Sequence, residues 1–173
     1  MPGRNAARSR APSVARDAPW NPWRALRARP ALRLVFAPLP PEVGRGALVE
    51  IDGRRTIVLD DRIGRRERRA ALGHELVHAE RGILYDRSTP AALVAKEEVA
   101  VNRITARRLV PDAQLAALVQ RTTAMGEGVT AAEVEDVFDV PHDVAALALW
   151  LLAQRTATAT LAPPTGFEPV SPP

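Results

Sequence analysis

The run RRERRAALGHELVHAERG, residues 65–82, decides the fold, because it is the one helical pattern in the chain that also carries a recognisable chemistry. Its spacing predicts a helix over residues 64–81, with Gly82 as the left-handed stop. Inside it lies His74-Glu75-Leu76-Val77-His78, a His-Glu-x-x-His sequence. Four residues along a helix advance about 400°, so His74 and His78 lie about 40° apart, one turn above the other. Both imidazoles can therefore reach one Zn2+ from a rigid base. Glu75 lies about 100° from His74. That places it beside the metal, where a carboxylate can take a proton from water. Ala71, Leu72, Leu76 and Val77 supply apolar surface that turns this helix inward. The chain has three histidines and two of them occupy the motif, which argues against a chance pair on a solvated helix.

A catalytic zinc takes three protein ligands and leaves a further position open. The next helix is expected from Ala91 to Val110, opened by Ser88-Thr89-Pro90 and stopped at Pro111. It offers Glu97 and Glu98. Paired carboxylates on a helix are ordinarily a solvated face, but these two stand among Leu93, Val94, Val99, Ala100, Val101 and Ile104. Glu97 shares its stripe with Val101 and Ile104, and Glu98 shares its own with Val101, Asn102 and Thr105. Both are candidate ligands, and the periodicity leans towards Glu97. Tyr85 and His142 are candidate donors to an oxyanion formed at the metal, set against plainer roles as a packed loop residue and an exposed cap. Asn102 or Asp136 is available to orient an imidazole.

Working outward, Pro22 to Arg29 reads as a short helix with Pro at its start. Three short strands follow at Leu32–Ala37, Ala47–Ile51 and Thr56–Leu59, with Asp52-Gly53 as a hairpin signal. C-terminal to the motif, helices are expected at Asp112–Gln120, at Thr130–Phe138 behind a Thr130/Glu133 capping box, and at Asp143–Gln154. Met125-Gly126-Glu127-Gly128 reads as a loop. The fold class is therefore α+β, a small antiparallel N-terminal sheet packed on a helical domain that carries the metal motif. Residues 19–155 form that domain. Residues 1–18 read as a flexible basic leader, and residues 156–173 as a Pro- and Thr-rich tail.

Composition narrows the chemistry. A length of 173 residues suits one core. A net charge of +4 and a pI near 10.8 suggest nucleic acid at first sight. However, residues 1–33 hold eight Arg against Asp17, whereas residues 34–155 hold 16 basic and 18 acidic side chains, a balance of −2. Nucleic acid is then expected to be met at most weakly, through the leader. The absence of Cys excludes disulfides, thiolate zinc ligands and a thiol nucleophile, so His, Asp and Glu must supply any metal site. The longest apolar run, Val144 to Ala153, is about half the roughly 18 residues of a membrane span. No apolar segment follows the leader as a secretory signal requires, and a cytoplasmic location is expected.

Taken together, Asn21-Pro22-Trp23, Leu32–Leu39, Thr56–Asp60, Arg65–Gly82, Glu97–Arg103 and Thr105–Pro111 resemble, in that order, the ImmA/IrrE-type zinc metallopeptidases in their compact actinobacterial and phage form. The resemblance spans about two-thirds of the chain. One position departs from it: Ala100 stands where the broader family has the Glu of a Glu-Ala-Asn-like run, and Glu97 or Glu98 lies one turn earlier. The resemblance implies a zincin-like helical domain and a cytoplasmic endopeptidase that cleaves or inactivates a helix-turn-helix repressor of a mobile element or stress response. It implies Zn2+ on His74, His78 and a glutamate, with Glu75 as general base. Two rivals stand beside it. One is a DNA- or partner-binding regulator built on Thr130–Phe138 and Asp143–Gln154, although the second of these helices is almost wholly apolar and better read as core. The other is a zinc-stabilised scaffold without turnover.

Overall fold

The computed structural model describes residues 20–82 and 89–161, the side chains of 159–161 excepted. It is an α+β fold of three strands and six helices: α1 (Pro22–Arg27), β1 (Arg33–Ala37), β2 (Gly46–Ile51), β3 (Arg54–Asp60), α2 (Arg65–Arg81), α3 (Ala91–Leu109), α4 (Asp112–Ala124), α5 (Ala131–Phe138) and α6 (His142–Leu161). α1 begins at Pro22 as expected and ends at Arg27, short of the expected Arg29, and Asn21 caps it by accepting from the Arg24 N–H.

The sheet corrects one expectation. Its order is β1-β3-β2, and it is mixed rather than antiparallel. The hairpin β2–β3 is antiparallel, with Ile51 facing Arg54 across Asp52-Gly53. Both turn residues have positive φ, at 51° and 68°, as a two-residue hairpin of this twist requires. β1, by contrast, runs parallel to β3, with Leu34 facing Ile57 and Phe36 facing Leu59. The segment between Pro38 and Arg45 carries the chain across to the far edge of β3, so β1 and β2 never touch as neighbours. Strand patterning fixes which face is apolar but not which neighbour a strand chooses.

The apolar face of the sheet, Ile57 and Leu59, packs on Ala71, Leu72 and Leu76 of α2. A second cluster joins Ala70 of α2 to Leu109, Leu115, Val134, Phe138, Val140, Ala145 and Ala148 of the C-terminal helices, and Trp20 packs against both clusters. α2 is thus the wall shared by two cores. Its residues from Ala70 to His78 are buried, His74 alone only partly. Gly73 is what lets it be approached so closely, since a Cβ there would lie 3.2 Å from the Trp20 ring and 3.5 Å from Thr105 Cγ2. Gly82, at φ 74°, ends the helix as the pattern indicated.

Helix boundaries elsewhere shift for local reasons. Pro90 itself is the N-cap of α3, and no side chain caps it, in place of the hydroxyl cap expected from Ser88-Thr89. α4 runs on to Ala124 because Thr122 is buried and its hydroxyl bonds the Leu118 carbonyl. α6 continues through residues 156–161, where the sequence suggested tail, with Thr156 and Thr158 donating to the Ala153 and Gln154 carbonyls. The capping box at Thr130 and Glu133 is present in both directions. Ala145, Ala148 and Leu151 of α6 are buried, so the would-be recognition helix is a core helix. Among the described residues no helix is long and apolar enough to cross a membrane.

Candidate metal centre

α2 and α3 pack side by side, and their contact brings three ligand-type side chains to one point. His74 Nε2 and His78 Nε2 are 2.9 Å apart. Glu98 closes the triangle, with Oε2 at 3.2 Å from His74 Nε2 and Oε1 at 3.0 Å from His78 Nε2. Two donors on a tetrahedral zinc at about 2.0–2.1 Å stand about 3.3 Å apart, so the three edges come close to those of a metal-ligand face. The chemistry of the set agrees. Three lone-pair donors converge on one space, and protons can bridge them only pairwise, whereas a metal cation satisfies all three. Among the described residues, this is the one group of His, Asp and Glu side chains so arranged.

Glu97 is not part of it. Its carboxylate is turned to Arg81, accepting from Nη2 at 2.8 Å and from Nε, and that guanidinium holds its pKa below the ordinary value. Neighbouring helical residues differ by about 100° in direction, so the two reach α2 at different points, Glu97 at Arg81 and Glu98 at the two histidines. The preference for Glu97 treated Ile104 as the inward marker of α3. The structure instead buries Thr105 with Val101, Ala106 and Leu109 and leaves Ile104 half-buried. That stripe runs through Glu98.

Burial gives each group a different protonation tendency. His78, with 8% of its side chain exposed, is pulled below the usual imidazole value by burial and then by His74. For His74, burial opposes the charge, but the hydrogen bond to Glu98, the charges of Glu75 and Glu98 and a hydrogen bond to Asn102 together raise its pKa. Glu98 is held low chiefly by its hydrogen bond from His74. Of the two residues available to orient an imidazole, Asn102, one turn after Glu98, is hydrogen-bonded to His74, whereas Asp136 is paired with Arg66 on another face.

Glu75 is not one of the three; its carboxylate lies against the start of β2, beside Gly46 and Leu48. It is 5% exposed. Burial pushes its pKa up to about 7, although the Leu48 backbone N–H donates to it. Gly46, at the start of β2, makes the close approach possible, since a Cβ there would lie 3.2 Å from both Cγ and Oε1 of Glu75. Neither Gly46 nor Leu48 is legible as a site residue in the sequence, because what places them there is the pairing of β2 with β3. His142 lies elsewhere, exposed and paired through Nδ1 with Glu135 Oε1 at 2.6 Å. Tyr85 falls outside the described residues.

A cavity of about 380 Å³ opens directly beside His74 and Glu75. β2, α2, α3 and α6 enclose it, and Arg45 and Asp143 form an ion pair of 2.8 Å at its rim. No family model, curated protein or solved structure matches the chain. The site has to speak for itself.

Proposed function

We propose that the chain is a zinc-dependent endopeptidase whose substrate is a helix-turn-helix repressor, of a mobile element or of a stress response. The observation that carries the reading is the convergence of His74, His78 and Glu98 with a buried, non-ligating Glu75 at the edge of an open cavity. His74, His78 and Glu98 would hold the zinc. Two imidazoles and one carboxylate are the donor set of catalytic zinc sites that keep a position open. Bound there, zinc would supply Lewis acidity, making water a nucleophile near neutral pH and polarising the scissile carbonyl.

The chain's own residues divide the remaining work. Glu75 accepts the proton of the attacking water on its carboxylate and returns it to the leaving amine. Burial raises this carboxyl above an ordinary glutamate in the metal-free chain, which makes its carboxylate the better proton acceptor. The Leu48 N–H fixes the carboxylate, and Asn102 fixes the His74 ring. Leu76 and Val77, both fully buried, hold the helix in place. The repressor as substrate and the zincin-like affiliation follow from the ImmA/IrrE resemblance, and the residues brought together here are compatible with both.

The test is to incubate the zinc-loaded chain with the helix-turn-helix protein encoded in the adjacent reading frame, beside the Glu75→Gln variant. Wild type should cleave it, and Glu75→Gln should bind zinc equally while cleaving nothing. Indistinguishable behaviour of the two would remove the proteolytic reading. Undiminished metal content in His74→Ala would remove the metal site itself.

A further inference from the structure

We propose that the cavity beside His74 and Glu75 receives one substrate side chain next to the cleaved bond, and that it takes an apolar group of leucine to phenylalanine size. The proposal rests on the peptidase reading above and names what that site selects.

Position is the first support. His74 and Glu75 both line the cavity, so its occupant adjoins one of the metal ligands and the base at once. A substrate chain held for reaction there must place a neighbouring side chain in this space or leave it unfilled. Shape is the second. Ala70 and Ala71 lie about one turn before His74 on α2, and their small side chains leave room where larger ones would close the floor. The volume, about 380 Å³, lies at the small end of the range of ligand pockets, about 300–1,000 Å³. It admits a whole side chain but not a folded segment.

Charge is the third. Val43, Val144 and Leu147 make apolar walls. The two charged residues at the rim, Arg45 and Asp143, are engaged with each other at 2.8 Å, so neither sign is left over to attract an ionic side chain. The remaining carboxylate in the lining is Glu75, an acceptor that already takes the Leu48 N–H and offers an acidic side chain no donor. Asn102 is engaged with His74. Apart from the Thr105 hydroxyl, buried in the lining without a hydrogen-bond partner, apolar contact is therefore the main attraction the lining offers.

The experiment uses the full zinc-loaded chain and amino-acid hydroxamates, zinc-seeking probes that each carry a single side chain, with affinity read by calorimetry. Leucine and phenylalanine hydroxamates should bind at least about tenfold more tightly than glycine hydroxamate, since a buried side chain of that size is worth more than one decade. Aspartate hydroxamate should bind more weakly than glycine. Val144→Phe, at a half-buried wall position, should abolish the leucine advantage while leaving zinc content unchanged. Leu147→Ala should move the preference from leucine towards phenylalanine. Equal affinities across the four probes, no binding of any, or an order that neither variant alters would overturn the proposal. Binding needs no turnover, so the two readings separate. Side-chain preference without cleavage of any peptide overturns the peptidase reading alone, and cleavage indifferent to the flanking residues overturns the pocket alone.

Discussion

Replacing Glu75 by Gln should make the metal-free chain more stable at pH 8, although it removes the residue assigned to catalysis. The carboxyl is 5% exposed and titrates at about 7 in the folded chain, against 4.5 for an ordinary glutamate. Below about pH 4.5 it is protonated in both states and contributes nothing to the difference. Between about 4.5 and 7 the folded chain keeps a proton that the unfolded chain has released. Folding stability therefore falls as pH rises across that window, and the loss is complete above it. At about 1.4 kcal/mol for each pH unit of the gap, the total is about 3 kcal/mol. A glutamine of the same shape never ionises and still accepts from the Leu48 N–H, so it escapes the whole penalty.

The assay is urea unfolding of wild type and Glu75→Gln, with chelator present, at pH 4.5, 6 and 8. Every other titrating group is common to both proteins, and the difference between their stabilities reads Glu75 together with its charge coupling to His74 and Glu98. That difference should be near zero at pH 4.5 and grow to about 3 kcal/mol in favour of the variant at pH 8. Parallel pH profiles, or a variant less stable than wild type at pH 8, would refute the claim that burial raises this carboxyl.

Three further outcomes are expected. Glu98→Gln should lose bound metal on dialysis while Glu97→Gln retains it, as metal analysis of the two variants will show. Asn102→Ala should weaken metal affinity about 10- to 100-fold by freeing the His74 ring, and Asn102→Asp should restore it, as competition with a chromogenic chelator can measure. Asp60 is held at about 2, below its ordinary 3.8, chiefly by hydrogen bonds from the Arg62 side chain and backbone. Its stabilisation is present above about pH 4 and lost as pH falls towards 2, so Asp60→Asn should flatten the acid limb of the stability profile.

Much of this arrangement was legible in sequence, and what escaped did so for identifiable reasons. The motif on α2 depends only on helical spacing, a local property, and His74, Glu75 and His78 lie where a turn of 3.6 residues puts them. Element types were equally local, from the Asp52-Gly53 turn to the Thr130 capping box. Three features needed the third dimension. β1 pairs in parallel with β3 because the chain crosses to the far edge before β2 begins, and nothing in the alternation of LRLVFA specifies a neighbour. Glu98 replaces Glu97 because α3 buries Thr105 ahead of Ile104, the reverse of what side-chain hydrophobicity suggests. Leu48 and Gly46 join the site through the position of a strand edge, and no side-chain motif signals that.

The two glutamates of α3 show how one helix serves opposite electrostatic needs. A ligand carboxylate must be ionised yet free to bind metal, so it cannot be committed to a guanidinium. Glu98 meets that condition: its partners are the imidazoles that would share the metal with it. Glu97, one residue earlier, is committed to Arg81, which sits one helical turn after Val77 in the same helix as the motif. The pair therefore fastens the end of α2 to α3 through Arg81–Glu97 and leaves Glu98 at the triangle, so the geometry of the ligands is set partly by a contact that binds nothing. On this account, the apolar setting of α2 does two jobs at once. It fixes the imidazoles in a well-packed interior, and by the same exclusion of water it lifts Glu75 towards neutrality. The stability lost at Glu75 and the basicity gained there have one physical cause, and a substitution that restores one must give up the other.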